Sequence, residues 1–188
     1  MTVSRVPKVV VVGSFMMDLM SKSPGLPIPG QTVTGGPFVM GPGGKGANQA
    51  IAAAKLGADV DLIVALGKDY FGDLAYDSLV KGGINVEFVK RVDSSATGVA
   101  LIIVDELSAE NMIVIAPGSN DHLNADDVHA AKESIEAADC VLMQLEVPLS
   151  TVECAARLAH ECGVRVILDP APGRPLSDQL LSYVDGCA

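Results

Sequence analysis

Asp18, Lys45, Asn48, Glu146 and Asp169 are polar residues set at the ends of apolar runs or inside a glycine-rich stretch. A carboxylate at neutral pH only accepts hydrogen bonds, an ammonium only donates, and an amide does both. That mixture suits a polyhydroxyl ligand, whose hydroxyls each donate one bond and accept others. GPGGKGANQA, residues 41–50, invites comparison with a phosphate-binding loop. A P-loop requires Gly, four residues, then Gly-Lys-Ser/Thr. Here Gly44-Lys45 is followed by Gly46, and Val39 stands where the first glycine should be. The stretch is therefore read as a hydroxyl holder. Lys45, Asn48 and the amides near Gly43 and Gly44 would donate, while Asp18 and Glu146 would accept. Glycine lets the main chain approach a ring closely, and the helix terminus behind it supplies oriented N–H groups. A ligand lacking one hydroxyl would leave a buried partner unpaired, at about 1–3 kcal/mol.

Each residue also has a structural role open to it. Asp18 could cap a turn, Lys45 could be a solvated charge, and Glu146 could pair with a backbone group. Asn48 could satisfy first-turn amides, and Asp169, before Pro170, could fix an Asx turn. The functional reading rests on their coincidence at one edge, which depends on the elements that carry them.

KVVVVG (8–13) is an unbroken β-branched run, as in a strand buried on both faces. Residues 19–40 are rich in Pro, Gly and Thr and are read as short antiparallel strands of a flap. Residues 45–56 read as a helix whose alanines allow close approach to a sheet, with Gly57 ending it. VDLIVAL (60–66) is a strand and 71–83 a helix. TGVALIIV (97–104) and NMIVIA (111–116) form an antiparallel hairpin that could join the flap. Asn124 caps a helix over 125–137, and DCVLMQLE (139–146) is a strand. Ser150 to Glu153 reads as a capping box opening a helix that ends near Gly163. VRVILD (164–169) is a strand and 176–184 a short helix or turn. This order predicts an α/β fold, an open, mostly parallel, doubly wound sheet, with a small antiparallel β lid from segments about 17–42 and 95–117. In such sheets ligands bind beyond the carboxyl ends of the strands, where Asp18, the 43–48 loop, Glu146 and Asp169 fall.

The 188 residues suffice for one domain core. The formal charge of −10, with both signs interspersed, argues against nucleic-acid and anionic-membrane partners, and no apolar run approaches a membrane span. The N-terminal MTVSRVPK shows no secretion signal. Cys140, Cys154, Cys162 and Cys187 form no C-x-x-C pair, and His122, His129 and His160 lack metal-ligand spacing. The expectation is a cytoplasmic protein with reduced thiols and no metal site of its own.

GGKGAN (43–48), the GS-x-x-x-D stretch from Gly13 to Asp18, TGVALIIV, QLE (144–146) and DPAPG together resemble ribokinases among the phosphofructokinase-B-type carbohydrate kinases, from about residue 8 onward. The resemblance implies a ribokinase-like fold in which Asp18, Gly43, Gly44, Lys45, Asn48 and Glu146 bind D-ribose, and Ala100 and Ile115 are apolar lid positions flanking the sugar. It implies ATP-dependent phosphorylation of D-ribose to D-ribose 5-phosphate, with magnesium and a potassium-type ion, and a homodimer joined through the lid. Adenosine, fructose or pseudouridine remain alternative ligands. Met16 departs from the pattern, standing where asparagine is common, and Asp169 stands at another such position. The family's N-x-x-E and GAGD-type segments, which carry the nucleotide site and general base, are not among these residues. The chain is therefore expected to be the sugar-binding part, with the C-terminal nucleotide-binding part absent and no catalytic residue. Alone it is expected to lack phosphotransfer and to be marginally stable, with VRVILD at an open sheet edge. A non-catalytic isoform or dimerisation partner is the rival reading.

Overall fold

Four consecutive valines, Val9 to Val12, are buried from both sides of a sheet. Val10 and Val12 enter one apolar cluster, with Ile63, Val141 and Val166; Val9 and Val11 enter the other, with Leu62, Val64 and Ala47. This two-sided burial is why the run reads as continuous valine rather than as alternation. The computed structural model describes residues 5–188; residues 1–4, where the stretch read for a secretion signal begins, lie outside the described residues.

The chain runs from β1 (Lys8–Val12) through β2 (Met16–Ser23) and β3 (Phe38–Gly43) to α1 (Lys45–Lys55). β4 (Asp59–Gly67), α2 (Tyr70–Lys81) and β5 (Val89–Val92) follow, then the hairpin β6 (Val99–Asp105) and β7 (Asn111–Ala116). A 3-10 turn (Gly118–His122) leads to α3 (Ala125–Ala130), α4 (Lys132–Glu136) and β8 (Cys140–Met143). α5 (Leu149–Glu161), β9 (Arg165–Leu168), α6 (Asp178–Ser182) and β10 (Gly186–Cys187) complete the fold.

The main sheet has the order β10-β9-β8-β1-β4-β5, with parallel pairing throughout. The smaller sheet has the order β3-β2-β6-β7. The expected open α/β fold with a β lid is the observed architecture, but the lid is mixed rather than antiparallel. Its outer pairs, β2–β3 and β6–β7, are antiparallel, whereas the central β2–β6 pair is parallel. Both inner strands leave the main sheet in the same direction, so their pairing is parallel.

Five local readings are revised. β5 lies in the charged stretch EFVKRV, where no alternation marks it. The helix over 125–137 is two pieces broken at Ala131, although Asn124 and Asp127 do form a capping box. The box expected at Ser150 to Glu153 does not form. Pro148, without an N–H and with a φ of −53°, starts α5 at Leu149, placing Ser150 and Glu153 inside the helix. β8 stops at Met143, so Glu146 stands on the loop beyond it. Finally, β9 is not the last strand, because β10 pairs with it at Gly186–Ile167 and Cys187–Leu168.

Candidate functional site

β1 sits between β4 and β8, and the chain builds the sheet outward on one side through β4 and β5, then on the other through β8, β9 and β10. That is the switch point at which an open α/β sheet forms a crevice beyond its strand ends. Ser14 follows β1, Glu146 follows β8 and Asp169 follows β9, while α1 begins across them. The Ser14 hydroxyl donates to Glu146 Oε2 at 2.5 Å, and the Lys45 backbone N–H donates to the same oxygen at 2.9 Å. Lys45 Nζ lies 3.7 Å from Asp169 Oδ2. Glu146 therefore fastens the start of α1 to the end of the sheet with one oxygen, and its Oε1 is outside these bonds.

The glycines bring α1 this close. A Cβ on Gly46 would stand 2.5 Å from the Ser14 nitrogen and 2.7 Å from the Gly13 carbonyl carbon. Gly44 has a φ of +88°, a region that side chains disfavour, and a Cβ there would meet the Met16 nitrogen at 2.7 Å. The first-turn amides are occupied. Besides Lys45, Gly46 N–H donates to Ser14 Oγ (3.4 Å), Ala47 N–H to Ser14 O (2.9 Å) and Asn48 N–H to Gly44 O (2.9 Å). The expectation that this helix terminus offers its N–H groups to a ligand is corrected accordingly. The same occupancy leaves the terminus unsuited to cradling a phosphate. The Gly44 amide is not among these bonds.

Asp18, on β2, is aligned with Gly41 on β3 and Ala100 on β6, and Ala100 is aligned with Ile115 on β7. The Asp18 carboxylate rests against Gly43, where any side chain would overlap it. Burial raises the Asp18 pKa above its ordinary value, and the negative charge of Glu146 raises it further. Ala100 is buried; Ile115 is half exposed and lines an open cleft of about 320 Å³ with Met16, Asp121, Glu146, Pro172 and Arg174.

The fold thus brings Asp18, Gly43, Gly44, Lys45 and Glu146 to one rim, with Asp169 beside Lys45 and the two apolar lid positions on adjoining strands. Asn48 lies one turn along α1, exposed to solvent. Three contributors escaped the reading of the sequence. Ser14 is the serine directly after β1, a position that could have been marked. Gly46 is the third glycine of the loop. Asn120 is fully buried and binds the Phe15 backbone, a contact 105 residues distant that no local pattern signals. Among the described residues, no group of three or more His, Cys, Asp or Glu is placed to hold a metal ion. Two carboxylates, one ammonium and the Gly44 amide meet at this rim, and Glu146 also lines the cleft; together they are a donor and acceptor set that suits a small polyol.

Residues 6–187 match the model of the pfkB family carbohydrate kinases. The chain is 45% identical over 175 residues to a ribokinase of Haemophilus influenzae, covering 93% of this chain and 57% of that protein. It is 38% identical over 179 residues to a deoxyribokinase of Salmonella typhi, covering 95% and 58% respectively. The solved structure of Arabidopsis thaliana ribokinase complexed with ribose and ATP superposes with a TM-score of 0.85 at 31% identity, covering 97% of this chain and 60% of that one. The chain thus spans less than two thirds of the length of each.

Proposed function

We propose, from the premise that the chain belongs to the pfkB family of carbohydrate kinases, that its residues form the D-ribose site of a ribokinase, which moves the γ-phosphoryl group of ATP to the 5-hydroxyl of the sugar. The observation that carries this reading is the meeting of Asp18, Lys45 and Glu146 around Gly43 and Gly44 at the sheet's switch point. Asp18 and Glu146 Oε1 accept from ribose hydroxyls; Lys45 Nζ and the Gly44 N–H donate to them. Asn48, exposed in the first turn of α1, is a donor by the family resemblance alone. Ala100 and Ile115 form the apolar flank. ATP, magnesium and a potassium-type ion enter through the family alone. The engaged amides of α1 do not fit a nucleotide phosphate.

Two further elements belong to this reading. β7 is exposed along its whole length, with Val114 at 65% exposure and Met112, Ile113 and Ile115 about half exposed. An apolar strand of this kind calls for a partner, and a second copy of the lid supplies one, giving a homodimer. A cytoplasmic setting, with the four cysteines as free thiols, goes with the same reading.

A second reading is favoured by Met16. This side chain is buried in the cleft wall beside Glu146, and its sulfur faces the Asn120 amide at 3.6 Å. A thioether hydrogen-bonds a hydroxyl weakly, so a pentose with one hydroxyl fewer loses little there. Calorimetric titration with D-ribose, 2-deoxy-D-ribose, D-fructose and adenosine tests both readings. Binding of a pentose tighter than fructose and adenosine supports the site, and the tighter pentose identifies the substrate. Equal or tighter binding of fructose or adenosine overturns it.

A further inference from the structure

We propose that Asn120 is a positioning residue of the sugar site, a buried joint that locks the lid connections to one another and holds Met16 in the cleft wall. This rests on the pentose reading above for its consequence, but its geometry stands apart from it. Asn120 is fully buried in the 3-10 turn that follows β7. Its Oδ1 accepts from the Phe15 N–H at 3.0 Å, and its Nδ2 donates to the Phe15 carbonyl at 2.8 Å and the Pro117 carbonyl at 2.8 Å. The same nitrogen faces Met16 Sδ. One side chain thus grips the chain where it passes from β1 into β2 and where it leaves β7.

The remaining lid connections close on the same point. Gly98, at the entry to β6, accepts from Met17 N–H at 2.8 Å, and a Cβ on it would stand 2.7 Å from both Met16 Sδ and the Pro117 carbonyl and would collide with Asn120 Nδ2. Gly44, at the exit from β3, packs on Phe15 and Met16. An amide is required here because one acceptor must serve an N–H while the donors serve two carbonyls. Met16 and Asp18 point to the same face of β2 by the two-residue period, so the joint anchors this strand two residues from the aspartate assigned to the sugar. The adjoining Ser119 offers a contrast. It is equally buried, but its hydroxyl donates to Ala65 O on β4 at 2.8 Å, tying the same turn to the main sheet and not to the lid.

The test compares wild type with Asn120→Ala, Asn120→Ser and Ser119→Ala by amide hydrogen exchange and by titration with D-ribose and 2-deoxy-D-ribose. The expected result is at least tenfold faster exchange across residues 15–23 and 97–117 in whichever Asn120 variant folds, relative to its own main sheet, with Ser119→Ala matching wild type in the lid. Ribose affinity falls at least tenfold in the Asn120 variant, and its ratio to 2-deoxyribose affinity shifts at least threefold from the wild-type value as Met16 is released. Lid exchange in the Asn120 variants equal to that in Ser119→Ala overturns the joint. An unchanged affinity ratio alongside faster lid exchange overturns the control of Met16. If wild type takes up neither pentose, the sugar reading has failed, and the exchange comparison still decides the joint.

Discussion

Asp18 holds a negative charge in surroundings that resist it, through burial and then through Glu146. A group whose folded pKa is raised subtracts stability while ionised, and that loss disappears as the pH falls through the raised value. Asp18→Asn should therefore leave the chain at least as stable as wild type in urea at pH 7. The same variant should weaken ribose binding about tenfold to a hundredfold, because a charged acceptor is worth about 1.5–3 kcal/mol. Wild-type affinity should begin to fall, on acidification, above the ordinary aspartate range, since a protonated Asp18 no longer accepts from a hydroxyl with full charge. Titrations across pH check this. At this scale the sequence was informative where a residue's chemistry stands out against its neighbours. Asp18, Lys45 and Glu146 follow or interrupt apolar runs, and all three lie at the rim. The double use of Glu146 was not legible, because its partner Ser14 lies 132 residues away.

α1 depends on a glycine that has no room for a side chain. Gly46→Ala would press on the Ser14 backbone and lift the helix from the sheet, at about 1–3 kcal/mol of stability, measurable by urea denaturation. The start of α2 presents a different device. Asp69 caps the helix by accepting from Gly72 N–H at 2.7 Å, and it also accepts from the Thr97 N–H at 2.7 Å and the Thr97 hydroxyl at 2.8 Å, at the approach to β6. Burial alone would raise its pKa, but these bonds hold it below the usual value. Its contribution is therefore complete above the unfolded aspartate pKa and lost as the pH falls through the lower folded one. Asp69→Ala should lower stability by about 1–2 kcal/mol at pH 7, with the deficit narrowing below about pH 4, as read from denaturation at a series of pH values. Element type was legible wherever periodicity was strong, as in β1, β4 and the β6–β7 hairpin. β5 was not, because Lys90 and Arg91 interrupt its apolar pattern while they bond Asp127 and Asp73. The start of α5 was misjudged because Pro148 overrode a plausible capping pattern.

The whole molecule consists of a parallel sheet that sets the crevice and a mixed sheet that stands over it. The alternation of elements made the first legible; the parallel β2–β6 pair in the second was not, because pairing between residues 82 apart, such as Met17 and Val99, leaves no local trace. The exposed apolar strand β7 carries the proposal of a dimer. Val114→Lys should convert a concentration-dependent dimer into a monomer in sedimentation equilibrium, with the fold unchanged by circular dichroism; a wild type that remains monomeric at high concentration would contradict the proposal.

The central claim is that side chains from β2, the start of α1 and the loop after β8 hold one pentose between them. Its most direct measurement is calorimetric titration of the chain with D-ribose, in wild type and in Glu146→Gln. The account predicts saturable binding at one site per chain, weakened at least tenfold by the substitution. Binding of equal strength in both proteins, or none in the wild type, would contradict it.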